Sequence, residues 1–278
     1  MKKACVIGWP VSHSRSPLIH NYWLRLYGIA GEYVRVPVET AGLERFIAEL
    51  AASEYLGCNV TIPHKERAFQ LVTPADDMTK RLGVVNTIYR SDGRLLGTST
   101  DGEGFIANLT SAGDLKLKDR KAVILGAGGA AMAIVGALVD QGMGEIAVAN
   151  RTLERSGQLR EKFGSAIKPV PWQNRNEALS ECAVLVNATS LGMKGQPPLD
   201  IDLSRLPAAA VVTDIVYSPL RTALLSDAAR RGHPTVNGLG MLLHQAVRGF
   251  ELWFGKRPEV TPALYDLIAR DIDADHTP

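Results

Sequence analysis

Residues 121–152 read KAVILGAGGAAMAIVGALVDQGMGEIAVANRT, and their pattern decides the fold. An apolar run at 122–125 enters a turn made of Gly126, Ala127, Gly128, Gly129 and Ala130. An alanine-rich stretch of helical composition follows, and a second apolar run occupies 146–149. Strand, glycine turn, helix, strand is the setting in which a G-x-G-x-x-G/A pattern carries meaning. Glycine lets the backbone approach a pyrophosphate closely. The helix behind it presents unpaired N–H groups and the positive end of its dipole.

The end of the second strand selects the dinucleotide. A carboxylate there accepts hydrogen bonds from a ribose 2′-hydroxyl and favours NAD. This chain has Asn150, Arg151 and Thr152 instead, with Arg155 one turn later. Guanidinium groups match a 2′-phosphate in charge and in planar geometry. The expected cofactor is therefore NADP; the bland alternative is a pair of ordinary surface arginines.

The rest of the chain bounds the remaining choices. Its 278 residues suffice for two modest domains. A formal net charge of +2 without a basic block gives no footprint for nucleic acid. Cys5, Cys58 and Cys182 lie far apart with no C-x-x-C pair, which predicts free thiols in a reducing compartment. The histidines lack ligand spacing, so no metal site is expected, and His276 in the polar tail reads as solvated. Lys2 and Lys3 precede an apolar run that stops by Val11, too short for a secretory signal. No apolar run is long enough to span a bilayer. A cytoplasmic enzyme acting on a small molecule, as a monomer or homodimer, is the expectation.

Strand and helix signals alternate along the chain, which predicts an α/β fold of two domains. Strands are expected at 4–8, 33–38, 58–62, 184–187 and 211–214, with a hairpin of 86–90 and 94–97 around Ser91, Asp92 and Gly93. Ser16 is expected to cap a helix with Pro17 at its first position and Leu18, Ile19, Tyr22, Trp23 and Leu26 on its apolar face. Thr40 is expected to cap a helix through Leu50, and a short helix covers 64–71. Helices are further expected at 101–111 and 238–254, with Thr261 and Pro262 opening the last. Two domains are expected, at 1–103 and 104–237, and the helices of 238–278 could pack on either. In an open parallel sheet ligands gather at the carboxyl ends of strands, which makes Ile215 and its neighbours cofactor-lining candidates.

Several polar clusters interrupt the apolar pattern near element ends: Ser12 to Pro17, Asn59 to Lys65, Asn86 and Thr87, Thr100 to Gly102, and Asn237 to Gln245. Taken singly, each has a structural explanation: a helix cap, a β-branched strand residue, a solvated lysine. Jointly, beside a dinucleotide unit, they describe a polar substrate pocket.

The segments SHSRSP, NVTIPHK, VNT, TDG, GAGGAA, NRT, NATS and NGLGMLLHQA occur in this order, and together they resemble the shikimate dehydrogenase family over essentially the whole chain. The resemblance implies reversible NADPH-dependent reduction of 3-dehydroshikimate to shikimate, and two α/β domains around a deep cleft with C-terminal helices returning to the first. It assigns Ser14, Ser16 and Tyr217 to the substrate carboxylate. Thr61, Lys65, Asn86, Asp101 and Gln245 surround the ring and its hydroxyls. Asp77 and Gly238 are carried over as cofactor-side positions.

Hydride arriving at a ketone carbon leaves negative charge on oxygen, which an ammonium can stabilise and protonate. Lys65 suits that role and Asp101 suits holding it. The chain departs from the family pattern at Ser99, where asparagine is usual, at Met132, where arginine is frequent, and at Asn237, where aspartate is common. Two alternatives stay open at this stage: a paralogue acting on quinate or an amino-substituted ring, and a non-catalytic NADP-binding sensor.

Overall fold

Short apolar runs alternating with amphipathic segments build two separate six-stranded sheets. The computed structural model describes residues 1–111, 113 and 115–274, so His276 lies outside the described residues. Residue contacts divide the chain into Met1–Asp101 with Leu243–Ile268, and Gly102–Leu242 with the residues from Ala269 on.

The first unit runs β1 (Lys2–Gly8), α1 (Ser16–Leu26), β2 (Gly31–Pro37), α2 (Leu43–Leu50), β3 (Tyr55–Val60), α3 (Lys65–Phe69), β4 (Thr73–Pro74), α4 (Asp77–Leu82), β5 (Thr87–Ser91) and β6 (Arg94–Thr98). Its sheet order is β2-β1-β3-β5-β6-β4. β1 pairs in parallel with β2 and β3, whereas β5 is antiparallel to both β3 and β6. The β5–β6 hairpin turns through Asp92 (φ 48°) and Gly93 (φ 73°), the positive-φ pair that matches strand twist. On α2, Leu43, Ile47 and Leu50 recur at helical spacing, and all three are buried against Cys5, Ile7 and Cys58. Each such side chain contributes roughly 1.5–3 kcal/mol of burial, so Ile47→Asp would detach the helix. Residues returning near the C-terminus complete this unit: Trp253 Nε1 donates to the Ile88 carbonyl at 2.9 Å and Trp23 Nε1 to that of Glu259 at 3.0 Å.

Three local expectations are corrected here. Arg15 holds the cap position of α1, and Ser16 is instead its first residue, its N–H donating to Ser14 Oγ at 3.3 Å. The buried face of α1 contains Ile19, His20, Trp23 and Leu24, and Leu26 is exposed. His20 takes an apolar role because its ring stacks on Tyr33 at 4.1 Å and burial pushes its pKa down to about 3, leaving it neutral. Thr40 opens only a single 3₁₀ turn (Thr40–Gly42) without a side-chain cap, and the helix proper starts at Leu43.

The second unit contains α5 (Asp101–Thr110), β7 (Lys121–Leu125), α6 (Gly129–Asp140), β8 (Glu145–Asn150), α7 (Leu153–Phe163), β9 (Ile167–Pro171), β10 (Cys182–Asn187), β11 (Val211–Asp214), α8 (Ala223–Arg230) and β12 (Thr235–Val236). Helices α9 (Leu239–Phe254) and α10 (Pro262–Ala274) follow. The boundary between units crosses α9 after Leu242, and Asp101, which opens α5, groups with the first unit. Thr261 Oγ1 accepts the Leu264 N–H at 3.3 Å, the expected cap of α10. The sheet order is β12-β11-β10-β7-β8-β9 and every pair is parallel. This is the doubly wound dinucleotide arrangement, with the order reversing between β7 and β10.

Candidate active site

In the first unit, four polar side chains from distant segments meet. Lys65, at the start of α3, donates from Nζ to Asp101 Oδ2. Both are mostly withdrawn from water, with side-chain exposures of 18% and 9%. Asp101 is the first residue of α5, and a helix N-terminus favours negative charge. Its other oxygen, Oδ1, accepts from Asn86 Nδ2 at 2.8 Å. The same amide lies 3.3 Å from Gln245 Oε1. Thr100 ties the group together: its N–H donates to Asn86 Oδ1 at 2.9 Å and its hydroxyl to the Gln245 carbonyl at 2.8 Å. Thr100 carries a structural part that the motif TDG alone did not signal, because Gln245 is 145 positions away.

The remaining first-unit candidates sit on loops. Ser14 and Ser16 bring their hydroxyls within 3.3 Å of each other. Arg35 clamps the intervening backbone, donating from Nε and Nη2 to the Ser14 carbonyl at 2.9 and 2.6 Å. Thr61 follows β3, its N–H bonded to the Ile7 carbonyl at 3.0 Å. Asp77 is exposed at the start of α4 and pairs with Lys80 at 2.9 Å.

In the second unit the cofactor candidates form one continuous stretch. Gly126 has φ 102°, and a Cβ there would stand 3.0 Å from the Ala188 carbonyl oxygen, so only glycine fits. Gly128 occupies the cap position of α6 without a side-chain hydrogen bond, and a Cβ there would meet nothing within 4 Å. An open, uncapped end of a twelve-residue helix, with Ala127, Gly129 and Ala130 beside it, suits a pyrophosphate. Asn150 ends β8 and donates from Nδ2 to the Thr152 carbonyl at 2.8 Å, while Arg151, Thr152 and Arg155 are exposed. Two guanidinium groups beside the strand end fit a 2′-phosphate. Gly238 admits no side chain, since a Cβ would lie 2.2 Å from the Ile215 carbonyl oxygen. Tyr217 is half-buried on the loop after β11.

Behind these loops lies a buried carboxylate that sequence reading did not single out. Asp214 Oδ1 accepts from Asn187 Nδ2 at 2.9 Å and from the Val216 N–H at 3.0 Å, and Oδ2 accepts from Thr222 Oγ1 at 2.7 Å. Burial raises its pKa to about 6, against the opposing pull of those donors. The departures from the family pattern also find their places. Ser99 Oγ is buried without a hydrogen-bond partner. Met132 Sδ lies 3.7 Å from Lys162 Nζ. Asn237 Oδ1 accepts from the Leu239 N–H at 3.1 Å. Among the described residues no group of three or more His, Cys, Asp or Glu is placed to hold a metal ion, and no helix is long and apolar enough to cross a membrane.

Comparison with known proteins bears on this geometry. The family described as "Shikimate dehydrogenase substrate binding domain" matches residues 6–88, "Shikimate / quinate 5-dehydrogenase" matches 108–193, and "Shikimate 5'-dehydrogenase C-terminal domain" matches 238–263. The chain is 51% identical over 275 residues to the shikimate dehydrogenase (NADP(+)) of Nitrobacter hamburgensis, covering 99% of this chain and 96% of that protein. Among solved structures it is similar to the shikimate 5-dehydrogenase of Thermus thermophilus in complex with NADP(H) and shikimate, with TM-score 0.86, 34% identity, and 98% and 100% of the two chains covered. It is also similar to the quinate dehydrogenase of Corynebacterium glutamicum in complex with NAD, with TM-score 0.89, 28% identity, and 97% and 99% covered. Backbone likeness does not separate these two neighbours; side chains must.

Proposed function

This chain belongs to the shikimate dehydrogenase family, and from that premise we propose how its residues perform the reversible NADPH-dependent reduction of 3-dehydroshikimate to shikimate. The reaction serves chorismate and aromatic amino acid biosynthesis. When bound, NADPH supplies the hydride. The observation that carries the assignment of roles is the Lys65–Asp101 ion pair, joined by Asn86 and Gln245.

Lys65 Nζ donates a proton to the ketone oxygen as negative charge develops there, and in the oxidative direction it receives that proton from the hydroxyl. Asp101 holds the ammonium through Oδ2 and offers its remaining acceptor capacity to a ring hydroxyl. Asn86, Gln245 and Thr61 supply further donors and acceptors for the hydroxyls. Ser14 and Ser16 receive the carboxylate. A substrate lacking one of these polar groups leaves its partner unpaired, at about 1–3 kcal/mol. On the cofactor side, Gly126, Ala127, Gly128, Gly129 and Ala130 take the pyrophosphate. Arg151 and Arg155, with Asn150 and Thr152, take the 2′-phosphate, and Ile215 and Gly238 complete the lining. Three buried free cysteines accord with a cytoplasmic setting.

The test is a spectrophotometric assay with NADP⁺ or NAD⁺ against shikimate or quinate. The expected result is the highest kcat/KM for NADP⁺ with shikimate. Higher kcat/KM for quinate would replace the substrate. Tight NADPH binding without turnover on either acid would replace the enzyme by a sensor.

A further inference from the structure

Asn86 makes sense in the site only if its amide points one way, with Nδ2 toward Asp101. An amide group can be turned over at little steric cost, so something must hold that sense. Thr87 is fully buried at the start of β5 and lies directly opposite Asn59 of β3 in the antiparallel register. Cross-strand partners of this kind put their side chains on one face. Asn59 Nδ2 donates to the Asn86 backbone carbonyl and to Thr87 Oγ1, both at 3.1 Å, and Tyr33 donates its hydroxyl to Asn59 Oδ1 at 2.6 Å.

A backbone carbonyl can only accept, so Asn59 must present Nδ2 to it. Thr87 Oγ1 then receives a donor from Asn59 and turns its own proton toward Asn86 Oδ1, 3.0 Å away. The Thr100 N–H, which can only donate, reaches the same Oδ1 at 2.9 Å. With Oδ1 so occupied, Nδ2 faces Asp101 Oδ1, which as a carboxylate can only accept. Burial also raises the Tyr33 pKa well above its usual value, which keeps that hydroxyl a donor.

We infer that Thr87 is a positioning residue: its buried hydroxyl, donating to Asn86 Oδ1 beside the Thr100 N–H, helps to hold the sense of the Asn86 amide and thereby keeps an N–H aimed at Asp101. The inference rests on the Lys65–Asp101 reading above. A threonine that merely satisfied its own hydroxyl would affect stability and leave turnover per folded molecule unchanged.

Thr87→Val keeps the shape and removes the hydroxyl. Its kcat, per molecule competent to bind NADP⁺, is expected to fall roughly tenfold, as when a hydrogen bond to an ionised group is loosened, with KM for shikimate within roughly threefold. Thr87→Ser is expected to restore kcat to within about twofold of wild type. In an Asn86→Ala background, Thr87→Val is expected to change kcat by less than about twofold, since its effect passes through Asn86. If the valine variant does not fold, Asn59→Ala carries the same cycle, because it removes the group that directs the Thr87 hydroxyl. An undiminished kcat in Thr87→Val, or an equal loss with Asn86 already absent, overturns the inference. Lys65→Ala is assayed alongside. A normal rate there overturns the underlying reading, whereas a crippled Lys65→Ala beside an unaffected Thr87→Val overturns only the role of Thr87.

Discussion

The two units build their polar sites by opposite means. The first assembles side chains separated by 36 positions (Lys65 and Asp101) and by 159 (Asn86 and Gln245). The cofactor site proposed for the second uses backbone from the contiguous stretch 126–130, where the decisive features are a positive φ and the absence of side-chain atoms. A site made of side chains is disabled by removing atoms. A site made of backbone is disabled by adding them. The first should therefore lose chemistry with little change in fold, and the second should lose affinity and stability together.

The sharpest way to break this contrast is Lys65→Ala. Loss of a general acid–base group costs roughly 10²–10⁴-fold in turnover, and KM for shikimate should change far less. A variant that loses stability and binding in proportion would show that Lys65 belongs to the scaffold.

Asp214 offers the next largest effect, in the unit where backbone dominates. Its pKa of about 6 in the folded protein lies above the ordinary 3.8. As pH rises from about 4 to about 6, the unfolded chain has already released the proton that the folded chain still holds, so stability falls across that window. The full span is on the order of 3 kcal/mol. The difference in unfolding free energy between wild type and Asp214→Asn should shrink toward higher pH between those limits and level off above them. A pH-independent difference in denaturant titrations would count against a buried titrating carboxylate.

Gly126→Ala tests the backbone half directly. One methyl at φ 102°, facing the Ala188 carbonyl, should cost about 1–2 kcal/mol and raise KM for NADP⁺ while leaving KM for shikimate unmoved. The smallest effect is expected at Arg151→Ala: roughly a tenfold rise in KM for NADP⁺ with little change for NAD⁺, as befits loss of one charge-assisted contact. An equal rise for both nucleotides would move Arg151 away from the 2′-phosphate.

Legibility in the sequence followed the same divide. The nucleotide unit was readable because its signals are local, and its strand-turn-helix order appears as β7, Gly126 to Gly128 and α6. Thr261 was readable as a cap for the same reason. One misreading fell where a neighbour distant in sequence decided the outcome. His20 faces inward because Tyr33 and Trp253 provide rings to pack on, which turned the buried face of α1 away from Leu26. Helix α4 went unread although its signals are local, with Asp76 accepting the Thr79 N–H at 2.6 Å and Gly83 closing it at φ 70°. It is only six residues long, too short for an apolar period to show.

Taken alone, the order of apolar runs, glycines and arginines determined an α/β chain with an NADP-type turn, because backbone conformation and helix-end charge act over a few neighbouring residues. The polar clusters, read with the family resemblance, named Lys65, Asn86, Asp101 and Gln245 as candidates. Only the tertiary structure decided that Asn86 turns its amide toward Asp101 and that Thr100, Thr87 and Asn59 hold it there. Hydrogen bonds are directional and short, so their partners become known only once strand register and the returning helix have brought remote residues within about 3 Å.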